Sequence, residues 1–317
     1  MSFSSDAKEE IIHHFPKKDC CLLAELSAVL HLNGAITGGS EISLVIRTEN
    51  PALARRCFLI IKKLFNISAE ITAKDNIHFK KGHLYTLAVA GEENTRAILK
   101  VCGLTKDEES LFSLIPGIDK KIIRNKCCQR AYIKGTFLGA GSVAKPEKNY
   151  HLEFIMPNEE FCGDFRKLLA SHGLNPKVVM RKESHILYIK DGEGIVELLR
   201  LIGANNAILN LENVRILKQV RNDVNRAVNC ETANLQKTLD ASYRQLENIR
   251  YIETHTGFDR LSPQLREIAE LRLENPEATL QEMSDMLPVP IGKSGVNHRL
   301  RKLEDIAKTM RERKGDP

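Results

Sequence analysis

An internal repeat constrains this chain more than any other feature. Cys20-Cys21-Leu22-Leu23-Ala24 returns 107 residues later as Cys127-Cys128-Gln129-Arg130-Ala131, and the same shift sets Ala28 on Gly135, Leu30 on Phe137, Gly34 on Gly141 and Ile36 on Val143. After a two-residue slip, the strand-like 42–46 faces 151–155. Helical patterns follow at 52–65 and 160–172, then a second strand pair at 84–88 and 187–189, then closing helices at 98–103 and 198–203. Turns are expected at Gly38-Gly39 and Asp191-Gly192. Each copy reads αββαββα over roughly a hundred residues, one supersecondary unit with an apolar face still to cover. Two copies covering each other predict a pseudo-symmetric α+β domain over 1–204, with repeats at about 1–106 and 107–204.

Spacing indicates where the copies meet. Ala131, Gly135 and Gly139 lie four apart and share one helical face, and Ala24 and Ala28 hold the same places in the first copy. Small side chains on one face let two helix backbones approach closely. The two equivalent helices are expected to pack against each other at the pseudo-twofold axis.

Composition excludes several classes. The 317 residues suit two or three domains of roughly 100–200 residues each. An apolar fraction of 42% with 28% charged residues is globular, not disordered. No run approaches the ~18 apolar residues of a membrane span, and no apolar leader opens the sequence, so a soluble, cytoplasmic protein with no membrane partner is expected. Eight cysteines then read as reduced thiols. The adjacent pairs Cys20-Cys21 and Cys127-Cys128 lack the usual zinc-ligand spacing, which favours core packing over a metal site. The net charge of +6 suits a nucleic-acid partner without requiring one. Its distribution is more telling: between Lys293 and Lys314 there are eight basic residues against three acidic ones.

Leu26-Ser27-Ala28-Val29-Leu30-His31-Leu32-Asn33-Gly34 and Ile133-Lys134-Gly135-Thr136-Phe137-Leu138-Gly139-Ala140-Gly141 resemble the two LAGLIDADG helices of homing endonucleases. The resemblance implies that the helices form the domain core and that the last acidic residue of each motif would bind a catalytic divalent cation. Here those places hold Asn33 and Ala140. A hard cation needs anionic oxygens, which neither an amide nor a methyl group supplies. The expectation is therefore a degenerate scaffold with no catalytic residue, no metal and no cofactor. The alternative is an active endonuclease that draws on relocated acids such as Glu25, Glu41 or Glu147. A protein-interaction scaffold is a third reading.

Other motifs fail on context. Gly139-Ala140-Gly141-Ser142-Val143-Ala144 has dinucleotide-fingerprint form, but a helix stands where a strand should precede it. Gly292-Lys293-Ser294 ends like a phosphate loop, yet Pro288 and Pro290 interrupt it.

The segment 205–257 reads as a linker region with an amphipathic helix whose apolar side carries Leu235, Leu239, Leu246, Ile249 and Ile252. Its Arg/Asn-rich stretch fits a solvated connector with helix caps, or a set of phosphate contacts from Arg221, Asn225, Arg226, Asn229 and Asn234.

From 258 to 317 the pattern is three helices. Ser262-Pro263 starts the first, with Leu265, Ile268, Ala269 and Leu273 inward. Thr279 with Glu282 forms a capping box for the second, over 280–287. Two prolines and Gly292 exclude helix over 288–293, and Ser294 is expected to cap the third, from 295 to about 308. This is a helix-turn-helix with a long turn, whose third helix would enter the major groove of double-stranded DNA. Asn297 and Arg301 have the chemistry to read adenine and guanine edges. Lys293, Arg299, Lys302, Lys308 and Arg311 suit phosphates, with Ser294 and His298 beside them.

Three stretches carry a resemblance over nearly the whole chain: 1–5 with the acidic turn after it, 228–235 and 293–303. They resemble the bacterial WhiA family of sporulation and cell-division transcription regulators. The resemblance implies a degenerate LAGLIDADG-like domain joined to a helix-turn-helix similar to sigma-factor region 4. It further implies action on promoters of genes for cell division and chromosome segregation, with an RNA polymerase sigma factor or another regulator as a protein partner.

Overall fold

The computed structural model describes residues 2–38, 41–75, 83–105 and 114–314. Gly39 of the expected Gly38-Gly39 turn and Met1 lie outside the described residues. The chain divides into two compact units, Met1–Leu217 and Lys218–Pro317.

The first unit opens with α1 (Phe3–Ile12), an element outside the expected repeat. Ser2 caps it, and Phe3, Ala7, Ile11 and Ile12 are buried. Each repeat then follows the expected order. Copy one runs α2 (Asp19–Asn33), β1 (Gly34–Thr37), β2 (Ser43–Thr48), α3 (Pro51–Phe65), β3 (Glu70–Asp75), β4 (His83–Ala90) and α4 (Glu92–Val101). Copy two runs α5 (Lys126–Ala140), β5 (Gly141–Val143), β6 (Leu152–Met156), α6 (Glu159–Ala170), β7 (Lys177–Arg181), β8 (Ser184–Ile189) and α7 (Gly192–Ile202). Each copy builds one antiparallel four-stranded sheet, and the two orders are equivalent: β1-β2-β4-β3 and β5-β6-β8-β7. The expected turn at Asp191-Gly192 leads from β8 into α7. The Asp191 carboxylate accepts the Gly194 amide and caps α7, the role that best satisfies an orphan N–H there.

Helices α2 and α5 form the centre of the unit. Both are buried along most of their length and their residues belong to one continuous apolar cluster shared by the two copies. A Cβ at Gly135 would stand 2.5 Å from the Glu25 carbonyl oxygen and 3.0 Å from the Ala28 methyl. At Gly139 a Cβ would stand 2.5 Å from the Asn33 amide oxygen. The small residues are therefore required by the approach of the two backbones, as the spacing predicts.

One buried charge cluster ties the N-terminal arm to this core. The Arg56 guanidinium from α3 bonds both carboxylate oxygens of Glu25, Oε2 at 2.9 Å, and donates to the carbonyls of Ile12 and, at 3.0 Å, His14. Lys134 of α5 donates to the same His14 carbonyl at 2.6 Å. Burial pushes the Lys134 ammonium down to about 8.

The second unit takes in most of α8 (Asn205–Thr256), a helix that begins in the first unit, and then α9 (Pro263–Glu274), α10 (Leu280–Met286) and α11 (Lys293–Lys314). In the first unit the Glu10 carboxylate caps α8 by accepting the amides of Asn206 and Ala207. The Arg/Asn-rich stretch is solvated, as a connector would be, but lies inside unbroken α8 and so offers no helix end to cap. Leu235 is 61% exposed, because the core of the second unit starts further on, at Leu246, Ile249 and Ile252.

The close approach of α2 and α5 yields a direct test. Gly135→Ala should lower unfolding free energy by about 1–3 kcal/mol, the usual cost of overpacking a filled core. Urea unfolding of the full chain, followed by far-ultraviolet circular dichroism, measures it.

Candidate nucleic-acid interface

The three-helix unit is held together from the sequence upward. Ile249 and Ile252 from α8, Ile268 and Ala269 from α9, Met283 and Leu287, and Val296, Leu300, Leu303 and Ala307 from α11 make one buried cluster. Ala307 takes the fully buried place and Ile306 is only half-buried, one position off the expected stripe.

Connections between the helices are pinned by polar side chains. The Arg272 guanidinium, 2% exposed, donates to the Ala278 carbonyl at 2.6 Å and to those of Asn275 and Pro276 at 3.5 and 3.4 Å. That one side chain organises the α9–α10 loop, and sequence patterning missed it because a buried arginine reads as a surface one. Thr279 and Glu282 form the expected capping box: the Thr279 amide donates to the Glu282 carboxylate at 2.7 Å, and the Glu282 amide donates to Thr279 Oγ1 at 3.3 Å. The Thr279 backbone amide holds the Glu282 carboxyl below its usual value. In the long turn after α10, the Ser284 hydroxyl donates to the Ile291 carbonyl.

Helix α11 begins at Lys293, two residues before the expected start. The Gly292 carbonyl accepts the amides of Gly295 and Val296 at 2.7 and 3.2 Å, so Ser294 lies inside the first turn and does not cap it. Successive residues turn by about 100° around the axis. That places Ser294, Asn297, His298 and Arg301 on one side, opposite Val296, Leu300, Leu303 and Ala307. Lys293, Ser294, His298, Arg301, Lys302 and Lys308 are exposed, and Asn297 is half-buried. Two expected phosphate residues turn inward instead. Arg299 pairs with Glu267 of α9 at 3.6 Å. Arg311 lies over the Tyr251 ring at 4.8 Å and pairs with Glu247 at 3.8 Å. On α8, Arg221, Asn225, Arg226 and Asn229 are exposed within an arc of about 140°. Asn234 lies off that arc, its amide 3.7 Å from Cys230 Sγ.

In the first unit the degenerate positions are structurally equivalent: Asn33 ends α2 and Ala140 ends α5, and Gly34 and Gly141 follow in extended conformation. Of the candidate relocated acids, Glu25 is 1% exposed and committed to Arg56, roughly 12 Å up the helix from Asn33 at 1.5 Å per residue. Glu41 and Glu147 are exposed on separate loops. Among the described residues, one group of three or more potential metal ligands converges, and it contains none of these acids: Cys20, Cys21, Cys127 and Cys128. No described helix is long and apolar enough to cross a membrane.

Comparison with known proteins follows this architecture. Residues 19–105 match the family described as WhiA N-terminal LAGLIDADG-like domain, 129–221 the WhiA LAGLIDADG-like domain and 224–307 the WhiA C-terminal HTH domain. The chain is 47% identical over 309 residues to a protein named "Probable cell division protein WhiA" from Alkaliphilus metalliredigens, covering 97% of this chain and 98% of that one. A protein of the same name from Clostridium botulinum is 47% identical over 313 residues, covering 98% and 99%. The crystal structure of full-length WhiA from Thermotoga maritima superposes with a TM-score of 0.60 at 25% identity, over 98% of this chain and 99% of that one.

The capping box is open to measurement. Thr279→Ala should cost about 1 kcal/mol. Hydrogen exchange should show lost amide protection over 280–286, with α2 and α5 unchanged.

Proposed function

This chain belongs to the WhiA family, and we propose that it is a non-enzymatic, sequence-specific DNA-binding protein that regulates transcription of cell-division genes. The observation that carries the reading is the exposed side of α11, where Ser294, Asn297, His298 and Arg301 stand at helical spacing above a core that fixes the helix. Lys293, Lys302 and Lys308 surround them, exposed and suited to phosphates. An amide and a guanidinium at i and i+4 match the bidentate edges of adenine and guanine. Arg221, Asn225, Arg226 and Asn229 of α8 supply further phosphate donors, and Asn234 is the weakest of that set by position. Arg299 and Arg311 serve first to hold α11 in place, and reach phosphate only by leaving Glu267 and Glu247.

The first unit supplies non-specific contacts or docks a protein such as a sigma factor. From residue 219 onward sixteen basic residues balance sixteen acidic ones, so the excess of +6 belongs to the first 218 residues. The nuclease reading is disfavoured by Asn33 and Ala140 at both acid positions and by the commitment of Glu25 to Arg56. Action in sporulation, promoter choice and nucleoid association extend the same proposal.

Arg301→Ala should weaken specific binding by about 1–3 kcal/mol and relax sequence preference. Lys302→Ala should weaken all sequences alike and reduce the salt slope by about one. Fluorescence anisotropy over a salt series, on selected and scrambled duplexes, separates the two. Equal losses on both duplexes for both variants would refute the assignment. Supercoiled plasmid incubated with the chain and Mg2+ or Mn2+ should remain uncut, and catalytic turnover would restore the nuclease reading.

A further inference from the structure

The two cysteine pairs were expected to be core residues, and only half of that description fits. Cys21 and Cys128 are buried, Cys127 is half-buried and Cys20 is exposed. Adjacent cysteines on one helix are poor chelators alone, since their side chains leave the axis about 100° apart. The close packing of α2 and α5 changes the geometry. Cys20-Cys21 lies in the first turn of α2 and Cys127-Cys128 in the first turn of α5. The pseudo-twofold brings the two first turns together, and all four Sγ atoms lie within 4.8 Å of one another.

We propose that Cys20, Cys21, Cys127 and Cys128 form a tetrathiolate site for one soft divalent cation, Zn2+ in the first instance, that clamps the two repeats together. A tetrahedral ion ~2.3 Å from each sulfur sets the sulfurs ~3.8 Å apart, so the thiols need to contract by no more than about 1 Å. Side-chain rotation supplies that movement while the helices stay in place. Four sulfurs with no oxygen donor select zinc-like ions over Mg2+ or Ca2+. The site is closed, with four protein ligands and no open position, which is the structural and not the catalytic pattern. Binding deprotonates the thiols and releases their protons to solvent, so affinity falls as pH falls. Both helices turn their N-terminal, positive dipole ends towards this site, which offsets part of the cost of gathering negative sulfur there. Cys20, an exposed residue, gives the ion a way in. This site is remote from the degenerate positions Asn33 and Ala140, which lie at the opposite ends of the same two helices.

The test uses the full chain, reduced with a phosphine and stripped by a chelator. Titration with Co2+ should develop the thiolate charge-transfer and tetrahedral ligand-field bands, with an end point of one ion per chain, and one equivalent of Zn2+ should bleach them. Cys20→Ser combined with Cys127→Ser, which alters the two less buried positions, should abolish the bands with unchanged circular dichroism. Cys230→Ser, on α8, should leave the end point at one. The proposal is overturned if the bands fail to form, if they persist in the double variant, or if freshly isolated chain holds Cys20 or Cys21 disulfide-linked to Cys127 or Cys128 with no ion bound.

Discussion

The contact between α2 and α5 is the constraint on which the first unit depends. The Gly135 α-carbon lies so close to the Glu25 carbonyl that not even a methyl group fits between them. That approach aligns the copies, gives each sheet an apolar backing and sets the ends of both helices. Their N-terminal turns meet at four cysteines. At their C-terminal ends Asn33 and Ala140 occupy matching places, and Gly34 and Gly141 each donate an amide back into the helix, to Leu30 and Phe137, before starting a strand.

Glu25 connects this packing to the question of activity. A buried carboxylate costs several kcal/mol unless its charge is met, and Arg56 meets it with a two-pronged contact from α3. The remaining guanidinium donors hold the carbonyls of Ile12 and His14, so the pair also fastens the segment after α1. Phe15 covers the guanidinium at 4.1 Å. A carboxylate bound in this way serves the fold.

Much of this was legible in the sequence because it is local or periodic. The repeat, the small-residue faces, the Thr279 capping box and the apolar stripe of α11 are each written at short spacing. What escaped depends on contacts distant in sequence. The cysteine pairs violate ligand spacing when each is read alone, and converge only because residues 107 apart share an axis. Arg272 reads as a surface charge and is buried under three carbonyls of its own loop. Helix α11 starts at Lys293 because the Gly292 carbonyl accepts its first amides, which Ser294 obscured by resembling a cap. Among the candidate interface residues, the shared face of Asn297, His298 and Arg301, opposite the apolar stripe, was legible from helical spacing. The inward turn of Arg299 and Arg311 was not, since Glu267 and Tyr251 lie on other helices.

The central proposal is that α11 reads base sequence from the framework that the end of α8, α9 and α10 give it. Selection of fragmented genomic DNA by the immobilised full chain at physiological salt, followed by sequencing, tests it most directly. The account predicts a small set of recovered fragments that share one motif, concentrated upstream of genes. Recovery in proportion to fragment length alone, with no shared motif, would contradict it.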